Sequence, residues 1–319
     1  MRVAVTGGAG FIGSNFVRDL VGERFAALDV QHVVVLDNLT YAGTLDNLTG
    51  VLDDVEFHRT DICDTQAVTR QIVGCDAVVH FAAESHVDRS ISSGLPFMRS
   101  NVLGTQSVLE AAAAAGAARF VHISTDEVYG SIPVGATGED APLAPNSPYA
   151  ASKAGSDLVA LAFARTHGLP VTVTRCSNNY GPYQNPEKAI PHFVTTLLRG
   201  GDIPLYGAGT NVRDWLHVGD HGKAVALLLA GTPKEQVYNI GGGHQITNLQ
   251  LAHIILDELG LDADRVSFVP DRKAHDARYC VDDSRLREEF GYRPERDFAE
   301  AIRETISWYS DNRSWWTHD

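Results

Sequence analysis

Short apolar runs alternate with longer segments of helical spacing through the first half of the chain. Each run has the length of a strand, and a helix-length segment separates it from the next run. A strand that is apolar throughout must be covered on both faces, so the alternation predicts a parallel sheet with helices on either side. The predicted strands cover residues 3–5, 31–36, 55–58, 77–81, 119–123 and 171–175.

This alternation stops after Cys176. Asn-Pro, Gly-Gly and Gly-Ala-Gly sequences interrupt the following residues, and the later helical patterns, at about 248–259 and 298–308, no longer alternate regularly with strands. We therefore predict two lobes in one α/β chain. The first consists of residues 1–177 plus about 218–240, and a smaller α/β C-terminal lobe consists of residues 178–217 plus about 241–319.

A glycine-rich turn follows the first predicted strand. Gly7, Gly10 and Gly13 would let backbone amides approach a pyrophosphate, and the helix predicted at residues 14–20 would present its N-terminus to that anion. Asp37 ends the second strand 24 residues after Gly13, where a carboxylate can accept from both ribose hydroxyls and repel a 2′-phosphate. The pattern predicts a doubly wound parallel Rossmann sheet that binds NAD in preference to NADP. An ordinary tight turn is the alternative.

Tyr149 and Lys153 form a second candidate motif in a segment that is rich in Ala and Leu. Four residues apart, the two side chains lie on one face of a helix. A nearby ammonium and a positively charged nicotinamide would favour the phenolate, so we expect a lowered pKa for Tyr149 and a role as a base. An ordinary surface pair is the alternative.

Two adjacent carboxylic acids, Asp126 and Glu127, follow the strand predicted at residues 119–123. The carboxyl ends of parallel strands face the crevice in which ligands bind, so the pair should lie near the cofactor. An acid and a base at this position indicate chemistry beyond alcohol oxidation. Alternatively, one of them only caps a turn.

Composition narrows the function classes. The 319 residues are 44% hydrophobic and 21% charged, which is enough for a large core, and no stretch approaches a membrane span. A formal net charge of −14 argues against a nucleic-acid partner. The four cysteines are far apart and lack metal-ligand spacing, so we expect no metal and a reducing, cytoplasmic location.

Several segments resemble a known family. The spacing G-x-x-G-x-x-G is similar to that of extended short-chain dehydrogenase/reductases, and the resemblance covers the whole chain. More specifically, the chain resembles the dTDP-glucose 4,6-dehydratases, whereas nucleotide-sugar 4-epimerases and nucleotide-glucuronate decarboxylases usually lack the adjacent Asp-Glu. The segments that carry this resemblance are residues 82–90, 125–130, 178–184, 186–188 and 213–215.

The resemblance implies a dehydration with internal hydride transfer. Tyr149, with Lys153 and Thr125 beside it, would take the proton of the sugar 4-hydroxyl while NAD accepts the C4 hydride. Glu127 would then remove the C5 proton, and a protonated Asp126 would donate to the departing 6-hydroxyl. The hydride would return to C6, so NAD stays bound and the substrate loses only water. Burial and the Glu127 charge would have to raise the pKa of Asp126.

The resemblance also implies binding residues in both lobes, the first for NAD and the smaller one for the nucleotide sugar. The expected cofactor residues are Gly7, Gly10, Phe11, Ile12, Gly13, Asp37, Asn38, Leu39, Thr40, Asp61, Ile62, Phe81, Ala82, Ala83, Ser85, Asn101, Tyr149, Lys153 and Asn179. The expected substrate residues are Ser85, His86, Thr125, Asn178, Glu187, Lys188, Pro204, Tyr206, Arg213, Asn248, Arg272, His275 and Tyr279. For His86, a purely structural role is the open alternative.

One departure concerns substrate preference. Family members usually read Asp-Arg-Pro-Gly-His-Asp where this chain has Lys273 and Ala274 in place of Pro and Gly. The expected dTDP-glucose could therefore be replaced by another nucleotide hexose, such as UDP-glucose. A 4-epimerase or decarboxylase, and a non-catalytic sugar-nucleotide or NAD sensor, are further alternatives. The resemblance implies a homodimer with a four-helix interface, formed by residues at about 102–115 and 148–167.

Overall fold

The structure is a computed structural model that describes residues 1–317. Its strands in chain order are β1 (Arg2–Thr6), β2 (His32–Asp37), β3 (Glu56–Arg59), β4 (Ala77–His80), β5 (Arg119–Thr125), β6 (Val171–Cys176), β7 (Asn178–Tyr180), β8 (Ile203–Tyr206), β9 (Val212–His217), β10 (Val237–Ile240), β11 (Gln245–Thr247) and β12 (Val266–Val269).

The helices connect these strands and cover the sheet. They are α1 (Phe11–Val21), α2 (Thr65–Ile72), α3 (Val87–Ser92), α4 (Leu95–Phe97), α5 (Gly104–Ala115), α6 (Pro148–His167), α7 (Ala189–Leu198), α8 (Val218–Ala230), α9 (Asn248–Leu259), α10 (Ser284–Phe290), α11 (Phe298–Asp311) and α12 (Arg313–Trp316). A π-helical segment (Met98–Leu103) joins α4 to α5, and a 3₁₀ turn (Asp126–Tyr129) follows β5.

Seven strands form a central parallel sheet in the order β10-β6-β5-β4-β1-β2-β3. The chain leaves β1 toward β2 and β3 on one side, then crosses back to β4, β5 and β6 on the other. The order reverses between β1 and β4, and a crevice opens there at the carboxyl ends of the strands. The predicted doubly wound α/β fold is confirmed.

Alternation along the strands explains the two covered faces. Val3 and Val5 of β1 belong to a core shared with α1 and α8, whereas Ala4, between them, belongs to a core shared with α2, α5 and α6. Successive side chains of a strand point to opposite faces, so a continuous apolar run fills both cores. The central sheet is therefore packed against helices on both faces.

A third apolar core lies in the chain after β6. It contains Trp215, Leu251 and Ile302 and is bounded by α7, α9 and α11. Two small sheets accompany it, ordered β11-β9-β7 and β12-β8. Between β9 and β11 in the sequence, α8 and β10 return to the central sheet, where β10 pairs with β6. The division into two lobes stays a prediction.

Helix α6 is well defined by its ends. The Ser147 side chain accepts from the Ala150 amide at 3.1 Å, Pro148 occupies the first turn, and Gly168 ends the helix with φ 72°. A polar N-cap, an early proline and a left-handed glycine are the standard signals for these positions. They set the register that turns Tyr149 and Lys153 toward the sheet.

Within residues 1–317, none of the helices combines the length and apolar character needed to cross a membrane.

Candidate active site

A cavity of about 920 Å³ opens at the carboxyl ends of the central strands. Most of the predicted site residues line it. From the cofactor set these are Gly7, Gly10, Phe11, Ile12, Gly13, Asp37, Asn38, Thr40, Asp61, Ile62, Phe81, Ala82, Ala83, Ser85, Tyr149, Lys153 and Asn179. From the catalytic and substrate sets these are His86, Thr125, Asp126, Glu127, Asn178, Glu187 and Lys188.

The glycine turn has no space for side chains. A Cβ atom at Gly7, where φ is 70°, would lie 2.6 Å from the Ala82 amide nitrogen. At Gly13 it would lie 2.2 Å from the Gly7 carbonyl oxygen. The backbone can pack this closely only without side chains, and α1 begins two residues before Gly13. The turn therefore has the form that admits a dinucleotide pyrophosphate.

Asp37 is fixed at the end of β2 by backbone amides. Its two carboxylate oxygens accept from Ala9 N at 3.0 Å and from Leu39 N at 2.8 Å. Burial raises the pKa of Asp37, and these amide hydrogen bonds oppose that rise. A carboxylate has about four acceptor positions, so these amides leave capacity for a ribose hydroxyl. Leu39 contributes through its backbone, with φ 52°, rather than by lining the cavity. Residues of this chain thus fit NAD.

Asn101 lies behind the cavity wall. Its amide nitrogen donates to Glu84 O at 3.0 Å and to Ser152 Oγ at 2.8 Å, and its oxygen accepts from Glu84 N at 2.8 Å. The side chain is 1% exposed and does not line the cavity. Asn101 thus joins the loop after β4 to α6, and a direct contact with cofactor stays a prediction.

Asp126 is a buried acid that faces the cavity. The Thr125 hydroxyl caps the 3₁₀ turn by accepting from Glu127 N at 3.2 Å, and this turn brings both acids inward beyond the strand end. Asp126 is 3% exposed, and its Oδ2 has no hydrogen-bond partner among the described residues. Burial, and then the charges of Glu127 and Asp214, raise the pKa of Asp126 well above its ordinary value. This is the direction the sequence predicts for a proton donor.

Glu127 has a different electrostatic environment. It is half-buried, and burial raises its pKa, but three cations oppose the rise. These cations are Lys188, Arg213 and Arg272. The adjacent acids therefore differ in the balance of nearby charge. Carboxylates are the larger influence on Asp126, where Arg213 opposes them, and cations are the larger influence on Glu127, where Asp276 opposes them. Such a difference favours a protonated Asp126 beside an ionised Glu127.

The surroundings of Tyr149 correct one expectation. Burial, and then the negative charge of Glu127, raise the pKa of Tyr149 well above its ordinary value. The Lys153 ammonium donates to the Ile123 carbonyl at 2.7 Å, and burial lowers its pKa to about 8. The expected lowering of the Tyr149 pKa by Lys153 is therefore wrong for the protein alone. The hydroxyl of Thr125 is the group that opposes the rise by hydrogen bonding.

One group of predicted substrate residues joins the loop after β4 to the start of α7. The Lys188 ammonium donates to Ser85 O at 2.6 Å, and His86 Nε2 lies 3.4 Å from Glu187 O. The carboxylate of Glu187 pairs with Arg89. His86 Nδ1 also accepts from Arg89 N at 3.4 Å at the start of α3, which favours the structural alternative for this histidine.

A second group surrounds Arg213. This residue is 6% exposed; it donates to Asp276 O at 2.9 Å, and its guanidinium lies 4.5 Å from the ring centre of Tyr279. The Tyr279 hydroxyl donates to Asp276 Oδ2 at 2.5 Å. Arg272 lies 3.8 Å from Asp88, and within residues 1–317 its buried Nε has no hydrogen-bond partner. None of these three predicted residues lines the cavity. The charges of Arg213 and Arg272 nevertheless oppose the rise that burial causes in the pKa of Glu127. The charge of Glu127, after burial, raises the pKa of Tyr279.

The remaining predicted residues lie farther out. The Tyr206 and His275 rings are 6.0 Å apart, and His275 Nδ1 lies 2.7 Å from Asp271 Oδ1. Pro204 is in β8, paired with β12, and Asn248 begins α9. The structure does not bring these four predicted residues into the lining of the cavity.

Other residues that line the cavity were not predicted. Four of them lie at the carboxyl ends of β5 and β6, and the rule that strand ends face the crevice could have predicted them: Ile123, Ser124, Cys176 and Ser177. Six others come to the cavity only through the packing of α4 and the π-helical turn, which the sequence does not predict: Leu95, Pro96, Met98, Arg99, Ser100 and Leu103. The other unpredicted lining residues are Tyr41, Ala42, Gly43, Thr60, Glu84, Gln184 and Asn185. No cluster of three or more His, Cys, Asp or Glu side chains in the described part of the chain is arranged to bind a metal ion.

Sequence comparison identifies close relatives of this chain. The sequence profile of the family described as GDP-mannose 4,6 dehydratase matches residues 4–305. The dTDP-glucose 4,6-dehydratase of Streptomyces niveus is 54% identical over 318 residues, which cover 99% of this chain and 95% of that protein. A dTDP-glucose 4,6-dehydratase from an Actinoplanes species is 55% identical over 320 residues, covering 99% of this chain and all of that protein.

Solved structures show the same similarity. DesIV, a dTDP-glucose 4,6-dehydratase from Streptomyces venezuelae with NAD bound, is 55% identical and superposes with a TM-score of 0.98 over 99% of each chain. A UDP-glucose 4-epimerase from Thermotoga maritima with UDP-glucose is 30% identical, with a TM-score of 0.90 over 98% of this chain and 100% of that one. Since enzymes of different chemistry share the fold, the reaction has to be argued from the site.

Proposed function

The chain belongs to the family of dTDP-glucose 4,6-dehydratases, and we propose that it is an NAD-dependent hydro-lyase that converts dTDP-glucose to dTDP-4-keto-6-deoxyglucose. One observation carries the proposal: a buried Asp126 with a raised pKa stands beside Glu127 in the cavity that also holds Tyr149 and Lys153. A 4-epimerase needs no acid and base at this place.

Each catalytic residue moves one proton. When bound, NAD accepts the hydride from C4 and later donates it to C6. The protein alone favours the neutral phenol of Tyr149, but the Lys153 ammonium and the positive nicotinamide of bound NAD would favour the phenolate. As the phenolate, Tyr149 takes the proton of the 4-hydroxyl, and the ketone that forms acidifies the hydrogen at C5. Glu127 removes that hydrogen as a proton, which can exchange with solvent on the carboxyl group, and Glu127 later returns a proton to C5. Asp126 donates its proton to the 6-hydroxyl, which leaves as water.

The protons balance over the cycle. Asp126 ends without its proton and Tyr149 ends with one more, so a transfer from Tyr149 to Asp126 resets the site. The two groups are close enough for the charge of Asp126 to raise the pKa of Tyr149. Thr125 supports both, because its hydroxyl bonds to Tyr149 and lies 3.3 Å from Asp126 Oδ1.

We assign binding to the two predicted lobes. Residues 1–177 plus about 218–240 would hold NAD, which the return of β10 to the central sheet supports. Residues 178–217 plus about 241–319 would hold the nucleotide sugar, which their separate apolar core supports. Arg213 and Arg272 are the candidates for the substrate diphosphate, since guanidinium groups match phosphate oxygens in pairs.

We also propose a cytoplasmic homodimer with a four-helix interface from α5 and α6. Apolar side chains are exposed on and beside these helices, including Leu103 at 57% and Leu158 at 60%. Such a surface is costly in water and typical of an interface. Leu158→Lys should shift the protein toward monomer in analytical ultracentrifugation. An unchanged sedimentation coefficient would exclude this face of α6.

The nucleotide of the substrate leaves a second candidate function. Lys273 and Ala274 replace the usual Pro and Gly beside Arg272, and they add a cation near the diphosphate end. A 4,6-dehydratase of another nucleotide hexose, such as UDP-glucose, would keep the same catalytic residues. Turnover of dTDP-glucose and UDP-glucose by the same preparation would separate these two candidates.

The decisive experiment uses dTDP-glucose deuterated at C4 and the purified protein without added NAD. A product that is one water lighter, with deuterium at C6, would establish dehydration with internal hydride transfer. Mass spectrometry and NMR give both results from one sample. An epimerised product, or deuterium lost to solvent, would overturn the proposal.

A further inference from the structure

Three polar side chains lie in a row on the inner face of α6. Tyr149, Lys153 and Asp157 are spaced four residues apart, which places them on one side of a helix, one turn after another. All are buried: Lys153 is 4% exposed and Asp157 is 0% exposed. Tyr149 and Lys153 line the cavity, but Asp157 does not, and the proposed chemistry makes no use of it.

Asp157 is a buried carboxylate that the protein keeps ionised. Its Oδ2 accepts from Arg175 Nε at 2.9 Å, and its Oδ1 lies 3.5 Å from His122 Nε2. Burial alone would raise the pKa of Asp157, but His122 and then Arg175 hold it below the ordinary value. Placing two ions in the interior costs several kcal/mol per ion before the attraction between them is counted. A pair in this position therefore calls for a function.

Lys153 lies one turn away, in an environment that disfavours its charge. Its Nζ donates to the Ile123 carbonyl at 2.7 Å, so two of its three N–H groups remain for other partners. Burial lowers the pKa of Lys153 to about 8, and Asp157 is the first group that opposes this. Without an anion nearby, a buried ammonium would lose its proton at a lower pH.

The other groups around Lys153 supply no negative charge at neutral pH. Burial raises the pKa of the Cys176 thiol to about 12, so it is neutral. Burial lowers the pKa of His122 to about 4. Burial is also the main cause, before His122, of the lowered pKa of His80, so both histidines are neutral. Arg175 is a cation, and Tyr149 is a neutral phenol in the protein without NAD. Among the described residues whose charges act on Lys153, this leaves Asp157 as the anion.

We propose that Asp157 is a positioning residue that keeps the Lys153 ammonium charged, while Arg175 anchors the Asp157 carboxylate in place. Lys153 in turn is the cation of the Tyr149 pair, so the charge of Asp157 reaches the reacting phenol through one intermediate. The inference rests on the role proposed above for Lys153. Asp157 lies one helical turn from Lys153 on the same face of α6, and an opposite charge within about 4–6 Å shifts a pKa by about 1–3 units.

The titration of Lys153 can be measured directly because the chain has five lysines, Lys153, Lys188, Lys223, Lys234 and Lys273. Protein labelled with ¹³C at lysine Cε gives five signals, and Lys153→Arg identifies the relevant one. In Asp157→Asn, the Lys153 pKa should fall by about one unit or more. The buried Lys188 serves as an internal control whose titration should not move.

A second variant covers the case in which Asp157→Asn does not fold, since it leaves Arg175 unpaired. Asp157→Leu with Arg175→Met removes both charges, and replacing a buried ion pair by apolar residues of similar volume is often neutral for stability. The Lys153 pKa should still fall, because Asp157 acts on Lys153 more strongly than Arg175 does. Asp220→Asn is the matched control: Asp220 is 2% exposed and accepts from Glu295 N at 3.0 Å, away from the cavity.

Activity provides the second readout. Lys153 is charged below its pKa, so turnover should be lost as pH rises through that value. In both Asp157 variants the alkaline limit of kcat/KM, which reports the substrate-free enzyme, should move to lower pH by the same amount as the NMR titration. An unmoved Lys153 signal, an equal shift in Asp220→Asn, or an unmoved kcat/KM limit would each overturn the inference. The titration needs no substrate, so it stands or falls independently of the proposed reaction.

Discussion

Replacing Asp126 by Asn is the sharpest test of the acid pair. The amide keeps the size of the side chain but has no acidic proton to give to the departing hydroxyl. Loss of a general acid typically slows a reaction by about 10²–10⁴-fold, which is roughly 3–5 kcal/mol of activation free energy. The first step, oxidation at C4, uses Tyr149 and should continue, so reduced nicotinamide should accumulate after substrate is added.

The same substitution should stabilise the fold at neutral pH. Asp126 is 3% exposed, and its raised pKa means that the folded protein holds a proton that the unfolded chain releases. Each pKa unit of that rise, up to the ambient pH, costs the folded state about 1.4 kcal/mol. The cost is absent below the unfolded-state pKa and grows as pH increases toward the folded-state pKa. The stability gain in Asp126→Asn should therefore grow from acid to neutral pH.

Urea unfolding at several pH values measures this gain, and product NMR with nicotinamide absorbance measures the two steps. Asp220→Asn is again a suitable control, because it removes a buried carboxylate that two backbone amides contact, at 3.0 and 3.3 Å. It should lose stability and keep turnover. Full turnover in Asp126→Asn, or a lower stability than the parent protein at neutral pH, would refute the assignment of Asp126 as a buried acid.

Three further outcomes are expected. Glu127→Gln should slow water loss by about 10²–10⁴-fold and abolish exchange of the C5 hydrogen with deuterated solvent, measured by NMR; continued exchange would contradict its role. Ala274→Gly should raise the free energy of unfolding by roughly 0.5–1 kcal/mol, because Ala274 has φ 51°; an unchanged urea midpoint would count against it. Gly13→Ala should purify without NAD, whereas Gly138→Ala, whose added Cβ meets nothing within 4 Å, should retain it.

Local patterns in the sequence were enough to predict the framework. Apolar runs predicted the six strands β1 to β6, and the glycine spacing predicted the turn before α1, because both depend on neighbouring residues. The four-residue spacing of Tyr149 and Lys153 likewise follows from helix geometry alone. The position of Asp126 and Glu127 just beyond β5 followed from the rule that strand ends face the crevice.

Quantities that depend on distant partners could not be predicted in this way. The sequence led to a lowered pKa for Tyr149, but in the folded protein Lys153 bonds to β5, and burial and Glu127 dominate. Asn101 is among the expected cofactor residues, yet its amide nitrogen donates to Ser152 behind the cavity wall. Its neighbours line the cavity without any local signal in the sequence; they are Leu95, Pro96, Met98, Arg99, Ser100 and Leu103.

The physical reason is the range of the interactions. Backbone conformation and helix or strand periodicity are set within a few residues, so the sequence by itself determined the fold class, the cofactor turn and the position of the proposed catalytic pair after β5. Burial and electrostatics depend on what packs against a group from elsewhere in the chain. Only the tertiary structure decided that carboxylates are the larger charge influence on Asp126 and cations on Glu127, and that the charge of Asp157 acts on Lys153.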